Sequence, residues 1–161
     1  MFILIRALAY ATLFIGALFL FIPSRILART GITAPAVFGA AQWIGMAMGA
    51  AGLALALGCV LTFVFLGKGT AAPFDPPRRL VVRGPYRFVR NPMYLGAGLL
   101  LAGGAVFYRA PWLWAYLGLL WLVVHLLVVF YEEPTLRRLF GQDYDNYTRR
   151  VSRWWPRLGG T

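Results

Sequence analysis

The chain has 161 residues, 60% of them hydrophobic, 16% aromatic and only 13% charged, and its mean hydropathy is +0.68. This composition excludes an ordinary soluble domain, leaves no room for one beside a membrane core, and confines any chemistry to membrane segments and their edges. The net charge of +11 lies on an apolar chain whose cations are kept to loops, which indicates contact with anionic lipid head groups and not with nucleic acid. Cys59 is the one cysteine, so neither an internal disulfide nor a cysteine-based metal centre can form.

Residues 2–22 form an apolar run broken by Arg6. About 20 such residues cross a bilayer as a helix, so this is the first expected span, with Arg6 snorkelling to the surface. Pro23 and Ser24-Arg25 show no small-residue cleavage signature, which keeps the run as a span and not a leader. A turn is expected from Pro23 to Pro35. Residues 36–66 make the second span, long for one crossing but without the polar turn that two would need, so tilt or projection beyond the bilayer is expected. Within it, Gly45-Met46-Ala47-Met48-Gly49 is a small-xxx-small pattern that lets helix backbones approach closely, either inside the chain or in a homodimer.

Lys68 to Arg90 is a polar loop in which Pro73, Pro76, Pro77 and Pro85 prevent continuous helix. Apolar segments at 92–108 and 111–131 follow, joined by the tight turn Arg109-Ala110-Pro111, and read as an antiparallel helical hairpin. Glu132-Glu133-Pro134 is expected to end the last span, because two carboxylates enter hydrocarbon only at high cost. From 134 to 156, Leu136, Leu139, Phe140, Tyr144, Tyr147 and Val151 recur at helical spacing with arginines and Asp143 between them. This predicts an amphipathic helix at the interface, divided at Gly141 and anchored by Trp154 and Trp155. The expected fold is therefore all-α: one membrane domain over 1–161, a multi-pass transmembrane bundle of about four spans, with a proline-rich loop and an amphipathic C-terminal segment.

With four spans, Arg6, the cations of the Lys68 to Arg90 loop and the arginines of the tail share one side and outnumber Arg25, Arg29 and Arg109 opposite. The positive-inside rule makes that side, with both termini, cytoplasmic, as in a prokaryotic inner membrane. The Arg83 to Gly96 stretch, the Glu132-Glu133 pair and the basic, aromatic tail then converge on one membrane surface. A proline-rich loop suits a binding wall, because its backbone is held rigid at little cost. In such a wall Arg90 can meet a carboxylate, and Glu132 an amine or ribose hydroxyls. The same residues also fit a structural role, with arginines setting topology, Glu and Arg pairing at a helix end, and tyrosines anchoring; composition and spacing do not separate the two.

Leu80-Val81-Val82-Arg83-Gly84-Pro85-Tyr86-Arg87-Phe88-Val89-Arg90-Asn91-Pro92-Met93-Tyr94-Leu95-Gly96 resembles the signature of the isoprenylcysteine carboxyl methyltransferase family, with its Leu-Val, Gly-x-Tyr and Arg-His-Pro-x-Tyr-x-Gly at this spacing. Glu132-Glu133-Pro134-Thr135-Leu136, then Phe140-Gly141-Gln142-Asp143-Tyr144-Asp145-Asn146-Tyr147 and Val151, is similar to the family's Glu-Glu, Leu, Phe-Gly-x-x-Tyr-x-x-Tyr and Val series. The resemblance spans about residues 78–156. It implies an integral membrane enzyme that binds S-adenosylmethionine between the loop and the C-terminal segment and acts on a lipophilic or small substrate reached from the bilayer. By the same resemblance the cofactor contacts are Leu80, Val81, Tyr86, Asn91, Pro92, Met93, Tyr94 and Glu132. The related phospholipid N-methyltransferases pair a glycine-x-glycine with two glutamates, which Gly96-Ala97-Gly98 and Glu132-Glu133 would supply.

Arg90, Tyr94 and Glu133 are the candidate catalytic side chains beside that cofactor. Two positions depart from the pattern. The histidine of Arg-His-Pro is Asn91 here, which can exchange hydrogen bonds but cannot take up a proton near neutral pH. The substrate arginine of the eukaryotic carboxyl methyltransferases, four residues before the first Glu, is Val128. Methyl transfer from a sulfonium asks mainly for in-line placement of a nucleophile away from water; a base is needed only for an ammonium or thiol acceptor. His125, seven residues before Glu132 and on nearly the same helix face, is the candidate base, with packing within the bundle as its other role. Two rival functions fit the same outline. A membrane reductase of the steroid 5-reductase type would bind NADPH, and a non-enzymatic scaffold would bind no cofactor.

Overall fold

A computed structural model describes residues 16–62, 65 and 80–156, and among the described residues it is helical with no strand. The first fourteen residues of the opening span with Arg6, the loop residues Lys68, Pro73, Asp75, Pro76, Pro77, Arg78 and Arg79, and Arg157 lie outside the described residues.

Helix α1 (Ile22–Arg29) follows a π-helical turn at Ala17–Phe21, so helix continues through Pro23, where the sequence suggests a turn. A proline inside a helix lacks a donor, and its ring collides with the carbonyl four residues back. Here the Ile22 N–H bonds to the Ala17 carbonyl, five residues back, and the widened spiral accommodates the ring. The Leu18 carbonyl, for which Pro23 has no donor at that spacing, accepts the Tyr116 hydroxyl at 3.0 Å.

The same device recurs at the other proline. A π-turn at Val128–Glu132, closed by the Glu133 N–H on the Val128 carbonyl, immediately precedes Glu133-Pro134. Helix therefore does not end at the acidic pair: α4 (Pro111–Leu127), this turn and α5 (Glu133–Phe140) form one helix of 30 residues. Together with α2 (Ala40–Thr62, 23 residues), it is one of two helices among the described residues that are long and apolar enough to cross a membrane. Helix α3 (Pro92–Phe107) is apolar but has 16 residues, or about 24 Å at the α-helical rise, short of the roughly 30 Å of hydrocarbon.

Helices α2 and α3 run antiparallel and touch backbone to backbone at two crossings. A Cβ added to Gly45 would lie 2.6 Å from the Gly103 carbonyl oxygen, and one added to Gly52 would lie 2.6 Å from that of Gly96. Gly45 and Gly52, like Gly96 and Gly103, are two helical turns apart and share a face. Gly49, the second glycine of the small-xxx-small pattern, has room for a Cβ, with Leu100 Cδ1 at 3.7 Å. The close-packing face is thus the seven-residue pair, and it is occupied by α3 of the same chain.

Gln42, 4% exposed, fixes one end of this helix pair. Its Oε1 accepts the Gly39 N–H at 2.9 Å and its Nε2 donates to the Phe107 carbonyl at 2.8 Å, joining the start of α2 to the end of α3. Helix α3 closes with Arg109 at φ 49°, with Arg109 N–H on the Val106 carbonyl and Ala110 N–H on the Ala105 carbonyl, the paired bonds of a Schellman motif. Ala105, Ala110 and Leu113 are buried there against Ile26, Leu27 and Ile32. At the C-terminal end Gly141, φ 49°, divides α5 from α6 (Gln142–Arg150), as its position suggests.

Candidate functional site

The loop before α3 is held by features of its own sequence. Gly84 has φ +59°, and a Cβ there would lie 2.9 Å from the Thr62 hydroxyl oxygen at the end of α2; only glycine meets both demands. A short 3₁₀ turn, Gly84–Arg87, then buries Tyr86. Pro92 occupies the first turn of α3, where its missing N–H costs nothing, and Asn91 stands just outside the helix with its side chain free of any capping bond.

The tail closes over this loop. Val89 and Ser152 form an isolated parallel bridge, the Arg90 N–H donates to the Ser152 carbonyl at 2.9 Å, and Asn91 Nδ2 donates to the Arg153 carbonyl at 3.4 Å. From α6, the buried Tyr147 hydroxyl donates to the Tyr86 carbonyl at 2.6 Å. Trp154 packs on Trp121 with ring centroids 4.6 Å apart and planes tilted by 47°, and donates from Nε1 to His125 Nδ1 at 3.2 Å.

The two adjacent carboxylates take different partners. Glu133 receives a fork from Arg153, Nε on Oε1 at 2.6 Å and Nη2 on Oε2 at 2.9 Å, and also lies 3.1 Å from Arg90 Nη1. Bidentate, charge-assisted bonds of this kind are the strong ones, and the three side chains are only 12%, 15% and 30% exposed for Arg90, Glu133 and Arg153. Glu132 instead accepts the Tyr94 hydroxyl from α3. Arg90 Nη1 also donates to the Tyr144 hydroxyl oxygen at 3.4 Å, while Arg90 Nε is buried without a partner among the described residues.

The electrostatics follow from burial and from Glu133. The Arg153 guanidinium is held above its usual range by its hydrogen bond to Glu133. Burial pushes the phenols of Tyr86 and Tyr147 well up. Tyr144 is raised by burial and then by the Glu133 charge, against the pull of Arg90. All three tyrosines are therefore neutral at physiological pH.

Most of the residues singled out from the sequence are brought to this end. Arg90, Asn91 and Glu133 are joined through Arg153, the adjacent Glu132 pairs separately with Tyr94, and the backbone of Tyr86 is held by Tyr147. Val81 and the Tyr86 ring pack with Cys59, Leu55 and Met93 in a small apolar cluster, Pro92 is fully buried, and Leu80 is half-buried. Gly96 lies at the α2 crossing, and a Cβ on Gly98 would meet the Trp121 ring at 3.6 Å, an ordinary contact distance. His125 is joined to Trp154 and not to the acidic pair. The sequence singles out neither Arg153 nor Ser152: Arg153 reads there as one tail cation among several, and nothing local signals that it crosses to Glu133.

The profile of the phospholipid methyltransferase family matches residues 40–143, which takes in the glycine crossings, the loop, the Tyr94–Glu132 pair and the Glu133 carboxylate. No curated protein and no solved structure matches the chain. Apolar helices of membrane-crossing length and a profile covering well over half of the residues agree: this is a membrane protein, and the chain belongs to the phospholipid methyltransferase family.

Proposed function

We propose that the protein is an S-adenosylmethionine-dependent methyltransferase whose cofactor is held between the start of α3, the Glu132-Glu133 pair and the tail. The observation that carries this reading is the Tyr94–Glu132 pair, set beside the Arg90–Glu133–Arg153 cluster and closed by the tail. The residues fit such a cofactor. The buried Arg90 Nε is a donor with no acceptor among the described residues, which a ligand carboxylate would satisfy, and Glu132 is a carboxylate suited to an ammonium or to ribose hydroxyls. When bound, the cofactor supplies a methyl group already activated on a sulfonium.

The chain's own part is to bind, orient and keep water out. Tyr94 holds the Glu132 carboxylate in one direction, Glu133 keeps two arginines in place, and Asn91 ties the tail to the loop without proton transfer. Val128 in place of an arginine argues against a prenylcysteine carboxylate as acceptor and favours another lipophilic substrate entering from the bilayer. The full layout we propose is a single domain of four spans, with the site and both termini on the cytoplasmic side, where the loop and tail cations concentrate.

Calorimetric titration of the purified, detergent-solubilised protein with S-adenosylhomocysteine tests this. Saturable binding that is weakened at least tenfold in Glu132→Ala, and less in Tyr94→Phe, is expected; absence of binding to folded protein defeats the proposal. NADPH in the same cell separates it from a reductase, since it is expected neither to bind nor to compete.

A further inference from the structure

At the end of the bundle opposite the Glu pair, a groove of about 290 Å³ is lined by Thr33, Val37, Gly39, Gln42, Phe107 and Arg109 among others. Its walls are rigid. Gln42 uses its carbonyl oxygen on Gly39 and its amide on Phe107, and the Phe38 and Phe107 rings meet edge to face with centroids 5.6 Å apart. Its one charged side chain is Arg109, whose Nη2 reaches over the edge of the groove to 4.0 Å from where a Gly39 Cβ would stand.

Arg109 is unusual in two respects. It occupies the left-handed closing position of a Schellman motif, φ 49°, where glycine is the unstrained choice and a side chain costs roughly 1 kcal/mol. It also forms no ion pair among the described residues, whose acidic side chains, Glu132, Glu133, Asp143 and Asp145, all belong to the other end. Arg25 and Arg29 add to the positive charge of this end. The negative end of α3 also faces here, but its last carbonyls are taken by Gln42 and by the two turn bonds, while the positive end of α2 points the same way.

The depth of the groove in the membrane is marked by aromatic side chains. Trp43 in the first turn of α2 and Trp112 in the first turn of α4 are 60% and 61% exposed, with Phe38 and Trp114 beside them. Exposed tryptophans at helix ends settle at the head-group level. A guanidinium unpaired among the described residues at that depth, beside an apolar wall of Val37 and Phe107, matches a phosphodiester with its glycerol stem.

We infer that this groove is a binding site for the phosphate head group of an anionic phospholipid, drawn from the leaflet at the end of the bundle away from the Glu pair and held by Arg109. The test is native mass spectrometry of the full-length protein released from nanodiscs of phosphatidylcholine containing phosphatidylglycerol. Wild-type protein is expected to retain one phosphatidylglycerol. Arg109→Gly, which removes the guanidinium and also relieves the backbone strain, is expected to retain it about tenfold less, the value of one charge-assisted contact, while melting no lower than wild type. Arg109→Lys should keep part of the retention, and Arg25→Gln all of it. Equal retention by Arg109→Gly and wild type overturns the inference, and so does an equal loss in Arg25→Gln, which would reduce the effect to general surface charge. Displacement of the lipid by millimolar inorganic phosphate would also overturn it, by showing a free-anion site. None of these readouts depends on methyltransferase activity.

Discussion

The two ends of the bundle solve the problem of polar groups at a membrane edge in opposite ways. At the Glu-pair end, separate stretches of chain bring two carboxylates, two arginines and four tyrosines to one place, where they pair with one another or with backbone, and long-range hydrogen bonds hold the loop to the tail. At the other end one neutral side chain, Gln42, does most of the joining, and the arginine of the turn has no carboxylate partner among the described residues. Between them the glycine crossings of α2 and α3 provide the rigid spacer. The first end spends its charges on itself and on the ligand we propose for it; the second offers its charge outward.

That contrast can be broken most severely at Glu133. Glu133→Ala leaves Arg90 and Arg153 facing each other without an anion, and we expect a loss near the lower end of the roughly 3–5 kcal/mol typical of an orphaned buried ion pair, since Arg153 keeps some water contact. The melting temperature in detergent should fall by many degrees, with binding of S-adenosylhomocysteine abolished.

Alkaline conditions should weaken the same end next. Tyr86 and Tyr147 are held neutral by burial, so the folded protein keeps protons that the unfolded chain releases above about pH 10. Their contribution is whole below that value and is lost as pH rises, by about 1.4 kcal/mol for each phenol one unit above it. Denaturation midpoints measured from pH 8 to 11 should be level at first and then fall. Tyr147→Phe should soften the fall.

At the opposite end, Gln42→Ala leaves the Gly39 N–H and the Phe107 carbonyl without their partner, at a cost of about 2 kcal/mol. Cofactor binding should be retained, because the glycine crossings still fix α3. An equal effect on both properties would mean that the two ends are coupled through the helix pair. The smallest effect is expected for Tyr147→Phe, which removes one buried hydrogen bond to the Tyr86 carbonyl and about 1 kcal/mol. If the loop is the cofactor wall, the dissociation constant of S-adenosylhomocysteine should rise more than the loss of stability alone explains.

The residues that the sequence marks as chemical largely do assemble, because their types and spacing were read together: Arg90, Asn91 and Tyr94 at the start of one helix, and two glutamates within another. What misleads is local grammar taken by itself. Pro23 and Pro134 read as helix ends, yet each follows a π-turn that makes room for its ring. Gly45 and Gly49 read as a pair, yet the crossing partner of Gly45 along α2 is Gly52, a choice set by α3 and not by α2 alone.

The sequence by itself determines that this is an apolar helical membrane chain, where its polar loops fall, and which loop and which carboxylates belong to one family signature. It does so because hydrophobic run length, proline position and motif spacing are local quantities. Only the tertiary structure decides that Glu133 is held by two arginines while Glu132 goes to Tyr94, that His125 is occupied by Trp154, and that Arg109 is left unpaired among the described residues. Neighbouring carboxylates have identical chemistry, and the groups that distinguish them come from residues 20 and 38 positions away along the chain, a relation that no local pattern encodes.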